Sequence, residues 1–227
     1  MYSMWGKGEK QGAGGESLLD VETWLNFLRR FEEIRGRSSI RYSHIYIFLK
    51  TAYIDRRLVS RYYLMDKLGL SEASTRTFLK KMVELKVAKP VKGGHHLSRY
   101  GVRLAKIITS LIKEFVVRNG IEIDNGYGWG TALSIKFHED MLIRLRDDVI
   151  RFGGNAALIL LYSKGELIFP ESREKLSSYN PELNKSLLME IDDFPAKFII
   201  ISFASNQYDA RLSSLDTAIK YIYSFPI

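Results

Sequence analysis

Residues 60–106, SRYYLMDKLGLSEASTRTFLKKMVELKVAKPVKGGHHLSRYGVRLAK, constrain this chain most. They write a helix, a tight turn, a second helix and a short hairpin in immediate succession. Ser60 is a good N-cap, and Tyr63, Leu64 and Leu68 follow at helical spacing. Gly69 stands where that helix must stop, because glycine takes the left-handed C-terminal conformation without a Cβ penalty. Ser71 is the next N-cap, and Glu72 in the first turn suits the positive end of the helix dipole. The second helix has Leu79, Met82, Val83 and Leu85 as apolar positions and shows Ser74, Arg76, Thr77, Lys80 and Lys81 on its other face. After Lys86 the pattern becomes extended, since Pro90 pushes the preceding residue out of the helical region. Lys92-Gly93-Gly94 is a hairpin turn and 95–97 a returning strand. Ser98 caps a further helix expected to run through Leu104, Ile108, Leu111 and Phe115 to Arg118.

That order is the order of a winged helix-turn-helix, whose second helix presents its N-terminal half to the DNA major groove. The segment LSRYGVRLA resembles the leucine-threonine-x-x-glycine run that leaves the wing in many winged-helix regulators, with serine in place of threonine. Arg76 is the expected base reader, because its guanidinium can grip guanine O6 and N7 with two parallel bonds. Ser74 and Thr77 flank it, Ser71 belongs to the same surface, and Lys80 and Lys81 lie where the helix rises toward the backbone. Lys92, His95 and Arg99 are expected phosphate contacts on or beside the wing. The plainer alternative for Arg76 is an ion pair with Glu72 on a solvated face. A winged helix used only for protein contacts is the plainer alternative for the whole unit.

Charge sharpens this reading. Residues 1–118 hold 23 Lys and Arg against 11 Asp and Glu, a net of +12, while residues 119–227 hold 11 against 15, a net of −4. A basic part joined to a mildly acidic one points to an electrostatic footprint for nucleic acid. Cysteine is absent, which excludes disulfides, thiolate metal sites and a cysteine nucleophile. His95 and His96 are adjacent on a strand and point to opposite faces, a poor chelate, so no metal is expected. No apolar run reaches the length of a membrane span and no charged-apolar-small leader opens the sequence, so a cytoplasmic protein without membrane contact is expected.

Taken in order, residues 1–16 read as a flexible, glycine-rich tail. Ser17 caps a helix whose stripe Val21, Trp24, Leu25, Leu28 and Phe31 must bury itself, on the winged unit or on a second copy. The helix over residues 40–54 is apolar nearly all round, and Leu58-Val59 can pair with the wing. Residues 17–118 thus form the winged domain with its N-terminal helix, and the four glycines within 119–130 mark a linker. Residues 131–227 alternate strand 131–137, helix 139–152, strand 156–162, hairpin partner 166–169, helix 181–191, strand 197–203 and helix 209–223. This order predicts an α+β chain ending in a ferredoxin-like βαββαβ sandwich with an added C-terminal helix. A small Rossmann-like sheet is the alternative.

No nucleophile elbow, P-loop lysine, HExxH or CxxC occurs, so neither an enzyme nor a cofactor is expected. Gly126-Tyr127-Gly128-Trp129-Gly130 precedes a strand and so lacks the helix dipole of a phosphate loop. Asp147-Asp148 and Asp192-Asp193 read as solvated faces and caps. Ser205, Asn206 and Asp209, after the last strand, are the candidate effector-binding residues, since open sheets bind ligands at such places; simple helix capping is the alternative. The string GRSSIRYS, the winged unit, the hairpin ALILLYSKGELIFP and FIIISFAS before a final helix resemble an archaeal family of winged helix-turn-helix transcription regulators with a C-terminal domain of unknown function. The resemblance covers most of residues 17–224 and implies a cytoplasmic archaeal protein, but it supplies no ligand or catalytic residue. Together these expectations describe a dimeric, sequence-specific regulator whose second domain senses a small molecule or holds the dimer. The competing expectation is a winged-helix assembly module in replication or transcription machinery.

Overall fold

The computed structural model describes residues 18–36, 39–54, 58–118 and 126–224. The expected tail, the cap Ser17 and most of the expected linker lie outside these residues. The chain is mixed α+β: an N-terminal helical region leads into a C-terminal antiparallel sheet. The helical region comprises α1 (Leu18–Arg35), α2 (Tyr42–Ile54), α3 (Arg61–Leu68) and α4 (Glu72–Glu84), then the hairpin β1 (Ala88–Val91) and β2 (Gly94–Leu97), then α5 (Arg99–Leu111). The stripe of α1 is buried inside the chain against α4 and α5, with Trp24, Leu28 and Phe31 fully covered. Helix α2 is buried on every residue from Ser43 to Leu49, as its apolar composition requires.

The sheet contains β3 (Ile112–Val117), β4 (Tyr127–Leu133), β5 (Ala156–Ser163), β6 (Glu166–Ile168) and β7 (Phe198–Ala204), in the order β3-β4-β7-β5-β6 with every pair antiparallel. Helices α6 (Leu142–Arg151) and α8 (Gln207–Ser224) cover one face, and α7 (Pro181–Ile191) packs on the other. The α8 face is continuous with the core of the helical region, because α8 also packs on α2.

Three expectations are corrected. Helix α5 ends at Leu111, not near Arg118, and residues 112–117 are a strand paired with β4 along its whole length. The run IKEFVV is β-branched and aromatic, and pleating puts Glu114 and Phe115 on opposite faces, where a helical reading had Phe115 in one stripe. The glycines of 126–130 do not interrupt structure: residues 127–130 open β4, because the bare Cα of Gly130 receives the ring of Phe115 and that of Gly128 lies against Val117. Finally, from β4 onward the expected βαββαβα succession is present, but the ferredoxin-like strand order is not. There the last strand lies at an edge, whereas β7 runs between β4 and β5. Every residue of FIIISFA is buried, and such a strand belongs in the middle of a sheet covered on both faces.

Candidate nucleic-acid interface

The unit from α3 to β2 is built from local capping. Ser60 Oγ accepts from the amide of Tyr63 at 3.2 Å, and Gly69 ends α3 in the left-handed conformation at φ 56°. Ser71 Oγ accepts from the Ser74 amide at 3.2 Å and donates to Ser74 Oγ at 3.0 Å. Thr75, Phe78, Leu79 and Met82 turn inward, with Phe78 edge-on to Phe48 at 5.6 Å. This inner packing leaves Arg76, Thr77 and Lys80 exposed and Ser74 half-buried on one outer face.

The candidate residues are not all equally available. Arg76 Nη2 is 2.7 Å from Glu72 Oε1, and Arg61 approaches the same carboxylate at 3.4 Å. The Arg76 side chain keeps 63% of its exposure, and an exposed i,i+4 pair of this kind contributes only about 0.3–0.5 kcal/mol. A stronger acceptor can therefore displace Glu72. Lys81 bends away and donates to the carbonyl of Ile34 at the end of α1, which the helical spacing alone did not disclose. Ser71 is occupied as a cap.

Lys92 is exposed at the hairpin tip beside Gly93, whose φ of 93° serves the turn. Val59 pairs with His95 through two backbone bonds, 2.9 and 3.0 Å, so the hairpin gains a third, one-residue strand as expected. Burial, with His96 alongside, pushes the His95 imidazole below its ordinary value. Arg99 stands at the foot of the hairpin, at the opposite end from Lys92.

Ser205, Asn206 and Asp209 lie together at the start of α8. Asn206 Oδ1 accepts from the Asp209 amide at 2.8 Å, Asn206 Nδ2 donates to the Asp209 carboxylate at 2.7 Å, and Asn155 Nδ2 donates to Ser205 Oγ at 3.2 Å. The Asn206–Asp209 bonds are those of a helix cap, while Ser205 is held by Asn155 from the loop after α6.

Tyr208, two residues beyond Asn206, was missed by sequence reasoning, as were the charges that join the two regions. Its hydroxyl donates to the carbonyl of Leu68, the last residue of α3, and lies 3.4 Å from His44 Nε2. Its ring lies so close to Gly69 that a Cβ there would come within 2.5 Å. Arg41, before α2, reaches Asp216 Oδ2 on α8 at 2.5 Å and the Phe152 carbonyl at 2.6 Å, while the Ser43 amide donates to Asp216 Oδ1 at 2.7 Å. Burial pushes the Asp216 carboxyl up, and Arg41 and Ser43 oppose it. Burial also disfavours the Glu114 charge, but Arg211, at 2.7 Å through both forks, and Lys50, at 3.0 Å, outweigh it and hold the carboxyl below its ordinary value. Each acid stands alone in its segment, Asp216 in LSSLDTAIKYI and Glu114 in IKEFVV, and that was the sequence signal for such partners. His44, also at this seam, is driven down to about 3 by burial and by Arg41 and Arg35, so it stays neutral.

Among the described residues, no cluster of three or more His, Asp or Glu is placed to hold a metal ion, and no helix is long and apolar enough to cross a membrane. No curated protein matches the chain. The chain is similar to a solved structure, the hypothetical protein PH0730 from Pyrococcus horikoshii OT3, at 24% identity and a TM-score of 0.58, covering 79% of this chain and 91% of that one. At that identity the likeness is one of fold. Residues 131–221, from β4 to α8, match a family described as a domain of unknown function (DUF4443).

Proposed function

We propose that residues 60–111 form a winged helix-turn-helix that binds double-stranded DNA, and that the protein is a sequence-specific transcriptional regulator. The observation that carries this reading is the division of α4. Its apolar positions are consumed in the core, while Ser74, Arg76, Thr77 and Lys80 project together beside a hairpin tipped by Lys92. The net +12 of residues 1–118 supplies a non-specific attraction to phosphate. Arg76 reads a base after exchanging Glu72 for guanine, and Lys80, Lys92 and His95 hold phosphates. The C-terminal sheet then serves in effector sensing or in joining two copies.

The test is duplex binding selected from a random pool and measured against salt. Affinity should fall steeply as salt rises. Arg76→Ala should cost about 1–3 kcal/mol on the preferred site and flatten preference at one base pair, while Arg76→Lys should recover non-specific affinity alone. Binding that is absent, or indifferent to salt, would remove the reading. One observation favours the second reading, a protein-assembly module: Glu72 draws both Arg61 and Arg76, reducing the positive charge of the outer face. Under that reading Arg76→Ala leaves every duplex affinity unchanged.

A further inference from the structure

The last turn of α4, strand β1 and the first turn of α5 enclose a shallow groove of about 460 Å³. Its apolar floor includes Val83, Pro90 and Tyr100, and its rim carries Lys86, Lys89 and Arg99. All three cations are exposed, and among the described residues none makes a side-chain hydrogen bond or ion pair and no carboxylate lines the groove. Three arginines nearby are matched: Arg61 and Arg76 share Glu72, and Arg103 bonds Asp20. The rim is also fixed in place. Lys86 sits in the left-handed conformation at φ 61°, and its carbonyl accepts from Ser98 Oγ at 2.5 Å, which ties the turn after α4 to the start of α5.

We propose that this groove docks an acidic peptide segment of a partner protein, one that presents an apolar side chain between carboxylates. Charge complementarity selects the acids, since three cations without a side-chain partner among the described residues line the site. The floor selects the apolar side chain: a nucleic-acid backbone would satisfy the rim but leave Val83, Pro90 and Tyr100 against water. Distance along α4 separates the groove from the proposed base reader Arg76, while across the hairpin Pro90 pairs with His95. Val83 lies seven residues beyond Arg76, about 10 Å along the helix at 1.5 Å per residue. The proposal does not depend on DNA binding, because the groove exists whichever way the outer face of α4 is used.

The experiment pans random twelve-residue peptides displayed on phage against the full chain. A synthetic copy of the enriched peptide is then titrated by fluorescence anisotropy. The expected sequences carry two or more Asp or Glu around a Leu, Phe or Trp. Lys86→Glu combined with Lys89→Glu should weaken that peptide at least tenfold, with far-ultraviolet dichroism and melting temperature retained, and Arg76→Ala should leave it unchanged. If the double variant fails to fold, Lys89→Ala is used, with a loss of about threefold expected from one exposed charge. Enrichment without acidic bias overturns the proposal, as does equal affinity for wild type and variant. Displacement of the peptide by duplex DNA, accompanied by a matching loss when Arg76 is changed, also overturns it and returns the rim to the DNA surface.

Discussion

Replacing Arg41 by alanine tests the claim that a buried ion pair joins the helical region to α8. Asp216 is 1% exposed at its side chain and Arg41 26%. With Arg41 removed, the Asp216 carboxylate keeps the Ser43 amide but loses its countercharge, and Phe152 loses a donor to its carbonyl. Truncating one partner of a buried pair typically costs about 3–5 kcal/mol. Partial exposure of Arg41 puts the expected loss at the lower end, about 3 kcal/mol near pH 8. The dependence on pH is the sharper part. Burial raises the folded-state pKa of Asp216, so its contribution is fully present below the ordinary aspartate value and is lost as pH rises through the raised one. Removing Arg41 removes an opposing, lowering influence and raises that pKa further. The penalty of Arg41→Ala should therefore shrink as pH falls and protonation discharges Asp216. Adding Asp216→Asn should abolish this pH dependence and recover part of the stability. Urea denaturation at several pH values measures both effects, provided the slope with denaturant stays constant. A loss under 1 kcal/mol at pH 8, or the same loss at every pH, would refute the buried-pair argument.

Tyr208→Phe removes the hydroxyl that caps the Leu68 carbonyl and should cost about 1 kcal/mol. Amide exchange at Gly69 and Leu70 should quicken more than exchange in the hairpin; uniform quickening would mean that Tyr208 braces the whole chain and not the α3–α4 turn. Glu114→Gln leaves Arg211 and Lys50 without a carboxylate. The depressed Glu114 pKa means that its stabilisation is present above the ordinary value of 4.5 and lost as pH falls through the lower folded one. The variant should therefore be less stable than wild type at pH 7 and approach it in acid, as read from thermal melts across that range.

Most elements of this chain are written locally, and the sequence by itself determined them. Ser60, Gly69, Ser71 and Ser98 cap and stop their helices through bonds to backbone only three or four residues away, or through a conformation that glycine alone tolerates cheaply. The inner stripe of α4 and the turn after Val91 follow from periodicity and glycine for the same reason, and so does α7 beginning at Pro181. Tertiary structure decided what depends on residues far apart in sequence. IKEFVV has enough apolar character for either a helix or a strand, and pairing with β4 makes it a strand. Gly128 and Gly130 look like a break until Val117 and Phe115 are seen filling the space that their missing side chains leave. The central place of β7 depends on which faces are covered, and a sequence order of strands and helices does not carry that information. The candidate site divides in the same way. The outward set Ser74, Arg76, Thr77 and Lys80 was legible from helical spacing. The diversion of Lys81 to Ile34, the approach of Arg61 to Glu72, and the Arg41–Asp216 and Tyr208–Leu68 links were not, since each joins residues whose proximity only the packed chain creates.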